Sequence, residues 1–402
     1  MQRSTDRILT THTGSLPRPD DLIALMREKE NHRPYDQAAF SARVRASVVD
    51  VVGRQCELGI DIPGDGEQSK SGFGSYQSER FSGFEPADPQ PPRRQLMVAR
   101  REQQAFAEYY ADYFSRAMMA AALAPPVTFV CTGPVRYIGQ AAVQRDIDTL
   151  KDALKDKSYV EAFMPSANPL NLTTIRNDYY RSQEEFEEAC IDATREEYQA
   201  IINAGLILQV DDPGLGTNLW GSVELPEDDR SKKAEAHLEK INHALRGLPQ
   251  DRIRYHSCYS INQGPLVYTM PLREWIGYAL RVNAEAISFE AMNPRHMHDY
   301  HTFEDTRVPD GKIIVPGMLN HGHNWVEHPE LIAELTVNYA NLVGRENVQI
   351  GTDCGFASQA GAREVHPTVV WAKLAALSEG ADLATRRLWG HGVSRAARAV
   401  PA

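Results

Sequence analysis

The chain has 402 residues, of which 42% are hydrophobic and 24% charged, so it can bury a large core in one big domain or two small ones. Its net charge of −11 and its pI near 5.7 argue against a nucleic-acid binder with a broad basic surface and against anchoring on an anionic membrane. Apolar runs stay well short of the roughly 20 residues that a membrane span requires.

The N-terminal segment and the cysteines bear on the cellular compartment. Residues 1–7 lack the apolar core of a signal peptide. The five cysteines are odd in number and widely spaced, which is not typical of a disulfide framework. We therefore expect a cytoplasmic protein whose thiols stay reduced.

Short apolar runs typical of strands alternate with longer helical patterns. The predicted strands are residues 7–15, 59–66, 127–133, 206–212, 253–258, 286–290, 313–319 and 348–354. The predicted helices are residues 37–57, 94–123, 184–204, 232–245, 271–283, 329–342 and 367–379. This alternation predicts a parallel sheet with right-handed crossovers, and the number of strands favours an α/β fold of the (β/α)8 TIM-barrel type over an open sheet.

Two connections are too long for simple loops. Residues 68–92 are rich in Gly, Ser, Phe and Pro, and residues 159–180 include the stretch F-M-P-S-A-N-P. Their aromatic content favours active-site loop insertions that act as lids over solvated linkers. No break in composition divides the chain, so we expect a single domain over residues 1–402.

Three of the predicted strands end in residues that bind metals. His256 and Cys258 end one strand, and alternate residues of a strand face the same side. Glu290 and Cys354 end two later strands, and such positions converge at one mouth of a parallel barrel. Nitrogen, thiolate sulfur and carboxylate oxygen are the donors that zinc takes in a tetrahedral site. Singly, each residue has a plain alternative explanation: a buried cysteine often serves as a small apolar core residue, and a glutamate after a strand often begins a loop.

Several motifs identify a family resemblance. They are T-T-H-T-G-S-L-P at 10–17, G-D-G-E at 64–67, T-G-P-V at 132–135, Q-V-D-D-P at 209–213, H-S-C-Y at 256–259, I-S-F-E at 287–290 and D-C-G at 353–355. Together they resemble the catalytic domain of the cobalamin-independent methionine synthase family, including its short members of the epoxyalkane:coenzyme M transferase kind. The combination H-x-C, E and D-C-G is the most specific part of this resemblance.

The resemblance implies a (β/α)8 barrel that carries one zinc ion. It implies His256, Cys258, Glu290 and Cys354 as the zinc ligands, in agreement with their spacing. It also implies that a substrate thiol binds the zinc as a thiolate and attacks an alkyl donor in line. A free thiol titrates near ~8.5, so a cation is needed to make it nucleophilic at neutral pH.

The same resemblance implies a pocket for the thiol substrate. In the methionine synthases, carboxylates at the positions of Glu67 and Asp211 hold the amino group of homocysteine, and the turn at Ser15 faces its carboxylate. Both acidic residues follow predicted strands, as a position at the barrel rim requires. The alternative is that Asp211 and Asp212 cap the next helix.

The sequence departs from the methionine synthases at two places. It begins directly at the catalytic barrel, without the extra N-terminal barrel that helps to hold folate. Where those enzymes carry Asp-x-His-Ser, residues 319–325 read L-N-H-G-H-N-W. His321 or His323 is therefore a candidate general acid for the donor's leaving group, and the alternative is that either is an exposed loop histidine.

The leading hypothesis is a zinc-dependent S-methyltransferase or S-alkyltransferase that acts on a small-molecule thiol and an alkyl donor. The thiol candidates are homocysteine, coenzyme M and other small thiols. One alternative is a metal-dependent hydrolase or lyase with zinc-activated water on the same barrel, against which the two cysteines count, since such sites rest on His and carboxylate. Another is a non-enzymatic protein stabilised by zinc, which would have no polar pocket above the metal.

Overall fold

The computed structural model of the chain describes residues 1–72, 75–88, 100–116, 122–216, 225–259 and 263–390. Its strands are short. They are β1 Leu9–Thr10, β2 Phe81–Pro86, β3 Phe129–Tyr137, β4 Phe163–Ala167, β5 Arg176–Asn177, β6 Ile207–Asp211, β7 Ile253–Ser257, β8 Ala286–Phe289, β9 Ile313–Pro316 and β10 Gln349–Ile350.

Parallel pairings connect eight segments of the chain in a ring. The strands β4, β6, β7, β8 and β9 form one sheet in that order, and β1 pairs with β10. Parallel bridges join β9 to β10, one of them between Gly317 and Gly351, and residues 62–64 bridge the end of β1 to β4. This is the arrangement of a (β/α)8 TIM barrel, as the sequence predicts.

Helices surround the ring. They are Asp20–Glu30, Gln37–Glu57, Ser75–Arg80, Arg100–Ala105, Ala107–Arg116, Gln140–Ala153, Gln183–Asn203, Glu227–Ala244, Leu272–Ala279, Thr302–Asp305, Pro329–Val343 and Pro367–Trp389. Local sequence explains where several of them begin. Asp36 accepts the N–H groups of Ala38 and Ala39, and proline occupies the first position of the last two helices, where no N–H is needed. No helix among the described residues is both long and apolar enough to cross a membrane.

The interior of the ring contains a polar cluster built around Arg254. Its guanidinium donates to Gln209 Oε1 at 2.7 Å, Thr11 Oγ1 at 2.8 Å and the carbonyl of His12 at 3.0 Å. Burial lowers the pKa of Arg254 to about 9, although nearby Asp211 opposes the shift. Because every donor of this arginine faces a partner, the cluster holds β1, β6 and β7 together directly beneath the carboxyl ends of the strands.

The structure corrects two of the predicted strands. Residues 127–133 belong to β3, which pairs antiparallel with β2 in a separate sheet and is not part of the ring. The position in the ring is taken by β4, which lies in the connection 159–180 that the sequence assigned to a loop. Residues 59–66 lie in the ring, but only Ile62 and Gly64 make ladder bridges.

The insertions and helices also differ in part from the predictions. The connection 68–92 contains the helix Ser75–Arg80 and β2, and the predicted helix 94–123 is two helices, Arg100–Ala105 and Ala107–Arg116. Residues 73–74, 89–99 and 117–121 of these segments lie outside the described residues. The helices Asp20–Glu30 and Gln140–Ala153 were not predicted. The other predicted helices are present, with ends that differ by several residues in some cases.

Candidate functional site

Three of the four predicted metal ligands meet at the carboxyl ends of the strands. His256 lies in β7, and Cys258 follows the end of that strand, so the pleat directs both side chains to the same side. Cys354 comes from the loop after β10. The donor atoms of these three residues, which we call the sulfur set, all lie within 4.8 Å of one another. A hydrogen bond to Cys258, with burial, raises the pKa of the Cys354 thiol well above its usual range.

The fourth predicted ligand, Glu290, lies beside the sulfur set but not within it. Glu290 follows β8 directly and is 1% exposed. Its Oε1 accepts the N–H of Tyr259 at 2.9 Å, whereas Oε2 has no partner among the described residues. Burial, then the charges of Asp353 and Cys258, raise the pKa of Glu290 well above its usual range. The Cys258 sulfur therefore lies near enough to Glu290 for its charge to affect the pKa of this carboxylate.

Glu290 forms a second group with His321 and Asp353, which we call the oxygen set. Their donor atoms also lie within 4.8 Å of one another. Asp353 Oδ1 accepts the N–H groups of Ala291 at 2.8 Å and Met292 at 2.9 Å, which ties the loop after β10 to the loop after β8. Burial raises the pKa of Asp353 to about 8.

The two predicted pocket carboxylates lie close to each other and to the sulfur set. Asp211 ends β6 directly opposite His256 in the ladder, and Gln209 donates to its Oδ1 at 2.7 Å. Burial raises the pKa of Asp211 to about 7, with Glu67 adding to the shift and His256 opposing it. Glu67 is 8% exposed, and its Oε1 lies so near Gly14 that a Cβ there would collide with it.

The alternative for Asp211 and Asp212 was a structural role as caps of the next helix. Asp212 has such a structural role. Its Oδ1 accepts the backbone N–H of Gly214 at 2.8 Å, and its Oδ2 pairs with His237 at 2.6 Å and Tyr255 at 2.7 Å. Asp212 is thus fully occupied within the barrel wall. Asp211, with Oδ1 held by the Gln209 amide, is directed to the rim instead.

Ser15 lies against the loop that carries Cys354. Its carbonyl accepts the N–H of Phe356 at 2.9 Å, and its Oγ accepts the N–H of Ala357 at 3.3 Å. Its Oγ also fills the space in which a Cβ of Gly355 would lie. Ser15 is therefore placed beside the metal-binding loop, on the side of Glu67 and Gly14.

His321 and His323 differ sharply in their surroundings. His321 is 2% exposed, neither ring nitrogen has a partner among the described residues, and burial lowers its pKa to about 4. The alternative expectation of an exposed loop histidine is therefore wrong for His321. The His323 side chain is 30% exposed, and its ring lies 5.2 Å from that of Trp325, which is 79% exposed.

Two features of the site were not predicted from the sequence. The grouping of Asp353 and His321 with Glu290 is one; the D-C-G motif singled out Asp353 but gave it no role. The other is the contact that the helix Ala107–Arg116 makes with the site: its Tyr109 hydroxyl donates to the carbonyl of Gln263. The Gln263 amide donates in turn to the carbonyl of Gly322 at 2.9 Å, so this helix is fastened to the loop that carries both histidines.

Comparison with known proteins connects this geometry to a family. Residues 137–376 match the family described as the catalytic domain of cobalamin-independent synthases. The methionine synthase of Sulfurisphaera tokodaii is 22% identical over 362 residues, which cover 86% of this chain and 85% of that protein. The methionine synthase of Thermococcus kodakarensis is 22% identical over 381 residues, covering 94% of each.

A solved structure shares the fold. The B12-independent methionine synthase from Shewanella sp. W3-18-1, in complex with selenomethionine, superposes with a TM-score of 0.69. It is 18% identical, and the match covers 96% of this chain and 100% of that one. At this level of identity the likeness supports the TIM-barrel fold and leaves the chemistry to the side chains of the site.

Proposed function

The chain belongs to the family of cobalamin-independent methionine synthase catalytic domains, and from that premise we propose that it is a zinc-dependent enzyme that transfers a methyl or alkyl group to a small-molecule thiol. The observation that carries the proposal is the sulfur set: His256, Cys258 and Cys354 present their donor atoms within 4.8 Å of one another at the rim of the barrel. In barrels of this kind, that rim is where catalysis takes place.

The chemistry of the donors fits zinc. Nε2 of His256 and Oε2 of Glu290 are buried without hydrogen-bond partners among the described residues. Buried polar atoms without such partners are expected of side chains that bind a metal ion. Two thiolates with one imidazole and one carboxylate form a donor set that zinc favours. Zinc held there would lower the pKa of a substrate thiol and keep it nucleophilic at neutral pH.

The acidic pair next to the sulfur set favours a thiol that also carries an amino group. Glu67 is buried, Asp211 is half-buried, and Glu67 lies close enough to Asp211 for its charge to raise the pKa of that carboxyl. Two such carboxylates are stabilised by a cation between them. A substrate ammonium group supplies that charge, and its recognition orients the thiol toward the metal ligands. Ser15 is our candidate for contact with the substrate carboxylate.

The arginines near the strand ends give little support to a sulfonate-bearing thiol such as coenzyme M. Arg18 is buried, and both of its terminal nitrogens donate to backbone carbonyls, those of Ala357, Glu67 and Lys70. Arg136 is exposed on β3, outside the ring, and Arg295 is exposed in the loop after β8, with its Nη2 at 3.5 Å from the carbonyl of Val267. An amino-acid thiol of the homocysteine type is therefore the substrate that we propose.

His323 is our candidate for the general acid that protonates the donor's leaving group. Its side chain is 30% exposed at the mouth, beside the exposed Trp325, where a second substrate can reach it. Burial lowers the pKa of His323, which makes its imidazolium a stronger acid and also reduces the fraction of the ring that is protonated at neutral pH.

Activity on matched thiols tests this proposal. Zinc-loaded protein is incubated with homocysteine, or with 4-mercaptobutanoate, which lacks the amino group, together with a panel of methyl and alkyl donors, and products are identified by mass spectrometry. Asp211→Asn should lower kcat/KM for homocysteine by about tenfold to a hundredfold, since a charged hydrogen bond contributes ~1.5–3 kcal/mol. It should change kcat/KM for 4-mercaptobutanoate by less than about twofold, because that thiol has no ammonium group for Asp211 to hold.

The exposed helical residue Asp148 provides the matched control. Asp148→Asn removes the same charge far from the rim and should leave both thiols unaffected. Absence of any S-alkylated product with every thiol and donor would contradict the proposed reaction. An equal loss for both thiols in Asp211→Asn would contradict the role assigned to the acidic pair.

A further inference from the structure

His321 is a buried imidazole for which the described structure provides no hydrogen bond. It is 2% exposed, and both Nδ1 and Nε2 lack partners among the described residues. Burying a polar group without a hydrogen-bond partner is unfavourable in proteins. A ring with two such atoms therefore indicates a binding role.

The loop around His321 is fixed on both sides. The N–H of Asn320 donates to Glu327 Oε1 at 2.9 Å, and Glu327 forms a buried ion pair with Lys373 at 2.9 Å. On the other side, the N–H of Gly322 donates to Asn320 Oδ1 at 2.7 Å, and its carbonyl accepts the Gln263 amide. The inward position of the imidazole is thus held by its neighbours and does not depend on bonds of its own.

His321 faces two carboxylates that can bind a metal ion. Each of them also has a buried oxygen without a hydrogen-bond partner among the described residues. A donor nitrogen of His321 lies within 4.8 Å of carboxylate oxygens of both Glu290 and Asp353. Oε2 of Glu290 and Oδ2 of Asp353 are also buried without partners among the described residues. Two carboxylates and an imidazole that converge with three or more orphaned atoms form a site for a divalent cation.

Glu290 connects the oxygen set to the sulfur set. It is one of the four expected zinc ligands, and its carboxylate lies within 4.8 Å of a donor nitrogen of His321. We propose that His321 is an additional nitrogen donor of the metal centre, so that the ion is held by two imidazoles, from His256 and His321, and not by one. This inference rests on the proposed function only in requiring that the protein binds a metal.

X-ray absorption at the zinc edge, on zinc-loaded full-length protein without substrate, tests the inference. The wild-type spectrum should require two imidazoles as well as two sulfurs, and His321→Ala should require one imidazole with the same two sulfurs. Competition with a chelator should show zinc binding weakened at least tenfold in His321→Ala. His323→Ala is the matched control, because that ring lies two residues away with a partly exposed side chain, and it should retain two imidazoles and wild-type affinity.

Each outcome of these measurements supports or overturns the role of His321 as a metal ligand. A wild-type spectrum with two sulfurs and a single imidazole overturns the role of His321 while it leaves the proposed function intact. A protein that binds no zinc overturns both. If His321→Ala fails to fold, the wild-type imidazole count decides alone, and His321→Gln, which keeps the bulk and polarity of the side chain, replaces the alanine variant.

Discussion

His256 and Cys258 owe their common direction to the pleat of one strand. Residues two apart in an extended chain face the same side, and β7 ends between these two ligands. The third donor, Cys354, is held to Cys258 by a hydrogen bond between the thiols, which a metal ion would replace. Among single residues, the site is therefore a small set of metal-donor side chains at the rim of the barrel. The packing of the core does not depend on them.

Replacement of a single thiol should remove the metal and leave the fold. We expect Cys258→Ser or Cys354→Ser to lose bound zinc and turnover while the circular dichroism spectrum remains that of the wild type, because the ligands lie at the rim and not in the core. Metal analysis of the purified variants measures the first effect. Cys56→Ser, in the helix Gln37–Glu57, is the control that should keep its zinc. Global unfolding of either site variant would show that the metal is structural.

His12 gives the barrel a dependence on pH that is independent of the metal. Its Nδ1 accepts the N–H of Gly14 at 3.2 Å and its Nε2 faces Gln55 Oε1 at 2.8 Å, so the folded protein holds the neutral ring. Burial, assisted by Arg254, lowers the pKa of His12 from 6.5 to about 3. Between these values the unfolded chain binds a proton that the folded chain does not, so acid favours unfolding.

The free energy of unfolding should therefore fall by roughly 2 kcal/mol between pH 7 and pH 5 on account of His12 alone. Urea titrations at several pH values measure it. His12→Asn keeps an acceptor for the Gly14 N–H and cannot titrate, so its stability should fall less steeply over the same range. Identical slopes for the two proteins would show that His12 does not keep its neutral form in the fold.

At the scale of the elements, the close approach of two strand ends positions Cys354. Gly317 follows β9, and a Cβ at this residue would lie 2.6 Å from the backbone N and Cα of Asp353. The N–H of Asp353 donates to the carbonyl of Leu319 at 2.9 Å across the same junction. Only a glycine allows this approach, so the position of Cys354 depends on a residue that carries no donor.

Gly317→Ala should destabilise the fold by ~1–3 kcal/mol, as overpacking of a tight contact does, and should also weaken metal binding. Denaturant titration and chelator competition measure the two effects. Gly277→Ala in the helix Leu272–Ala279 is the matched control, since a Cβ there meets no atom within 4 Å and alanine favours a helix by about 0.5–1 kcal/mol. Unchanged zinc affinity in Gly317→Ala would contradict the positioning role of this junction.

The strands of the barrel were predictable where nearly every residue is buried, as in β6, β7 and β8. The prediction failed at β3, where buried and exposed residues alternate, as in an antiparallel pair. It also failed at β4, a short strand with Pro165 at its centre. A proline is tolerated there because β4 has a full ladder with β6 on one side and only a single bridge, at Phe163, on the other.

The convergence of the candidate site residues was predictable for a physical reason. Side chains at the carboxyl ends of barrel strands must converge, so the type and order of residues near strand ends were enough to nominate His256, Cys258, Glu290 and Cys354. The division into a sulfur set and an oxygen set was not predictable, because it depends on the path of the loop that carries His321. The metal-binding, substrate and general-acid roles remain predictions.

At the scale of the whole molecule, the ring is completed by the two ends of the chain. β1 pairs with β10, the N–H of Ile8 donates to Thr385 Oγ1 at 3.0 Å, and the Trp389 indole donates to the carbonyl of Thr5 at 3.0 Å. Residues before β2 and after β9 therefore form part of one core. A single domain over residues 1–402 stays a prediction.

We expect cooperative unfolding as one unit. Tryptophan fluorescence and far-ultraviolet circular dichroism should report the same midpoint in denaturant, because neither half of the chain can complete the ring. Two separated transitions, or midpoints that differ between the probes, would indicate two folding units and contradict the single-domain prediction.

We propose that donor side chains from distant parts of the chain bind one metal ion, and that a substrate thiol binds to this ion. Zinc-edge X-ray absorption before and after the addition of homocysteine measures this most directly. We expect a rise from two sulfur neighbours to three, with loss of one oxygen or nitrogen neighbour. A sulfur count that stays at two with homocysteine and with every other thiol that is tried would contradict it.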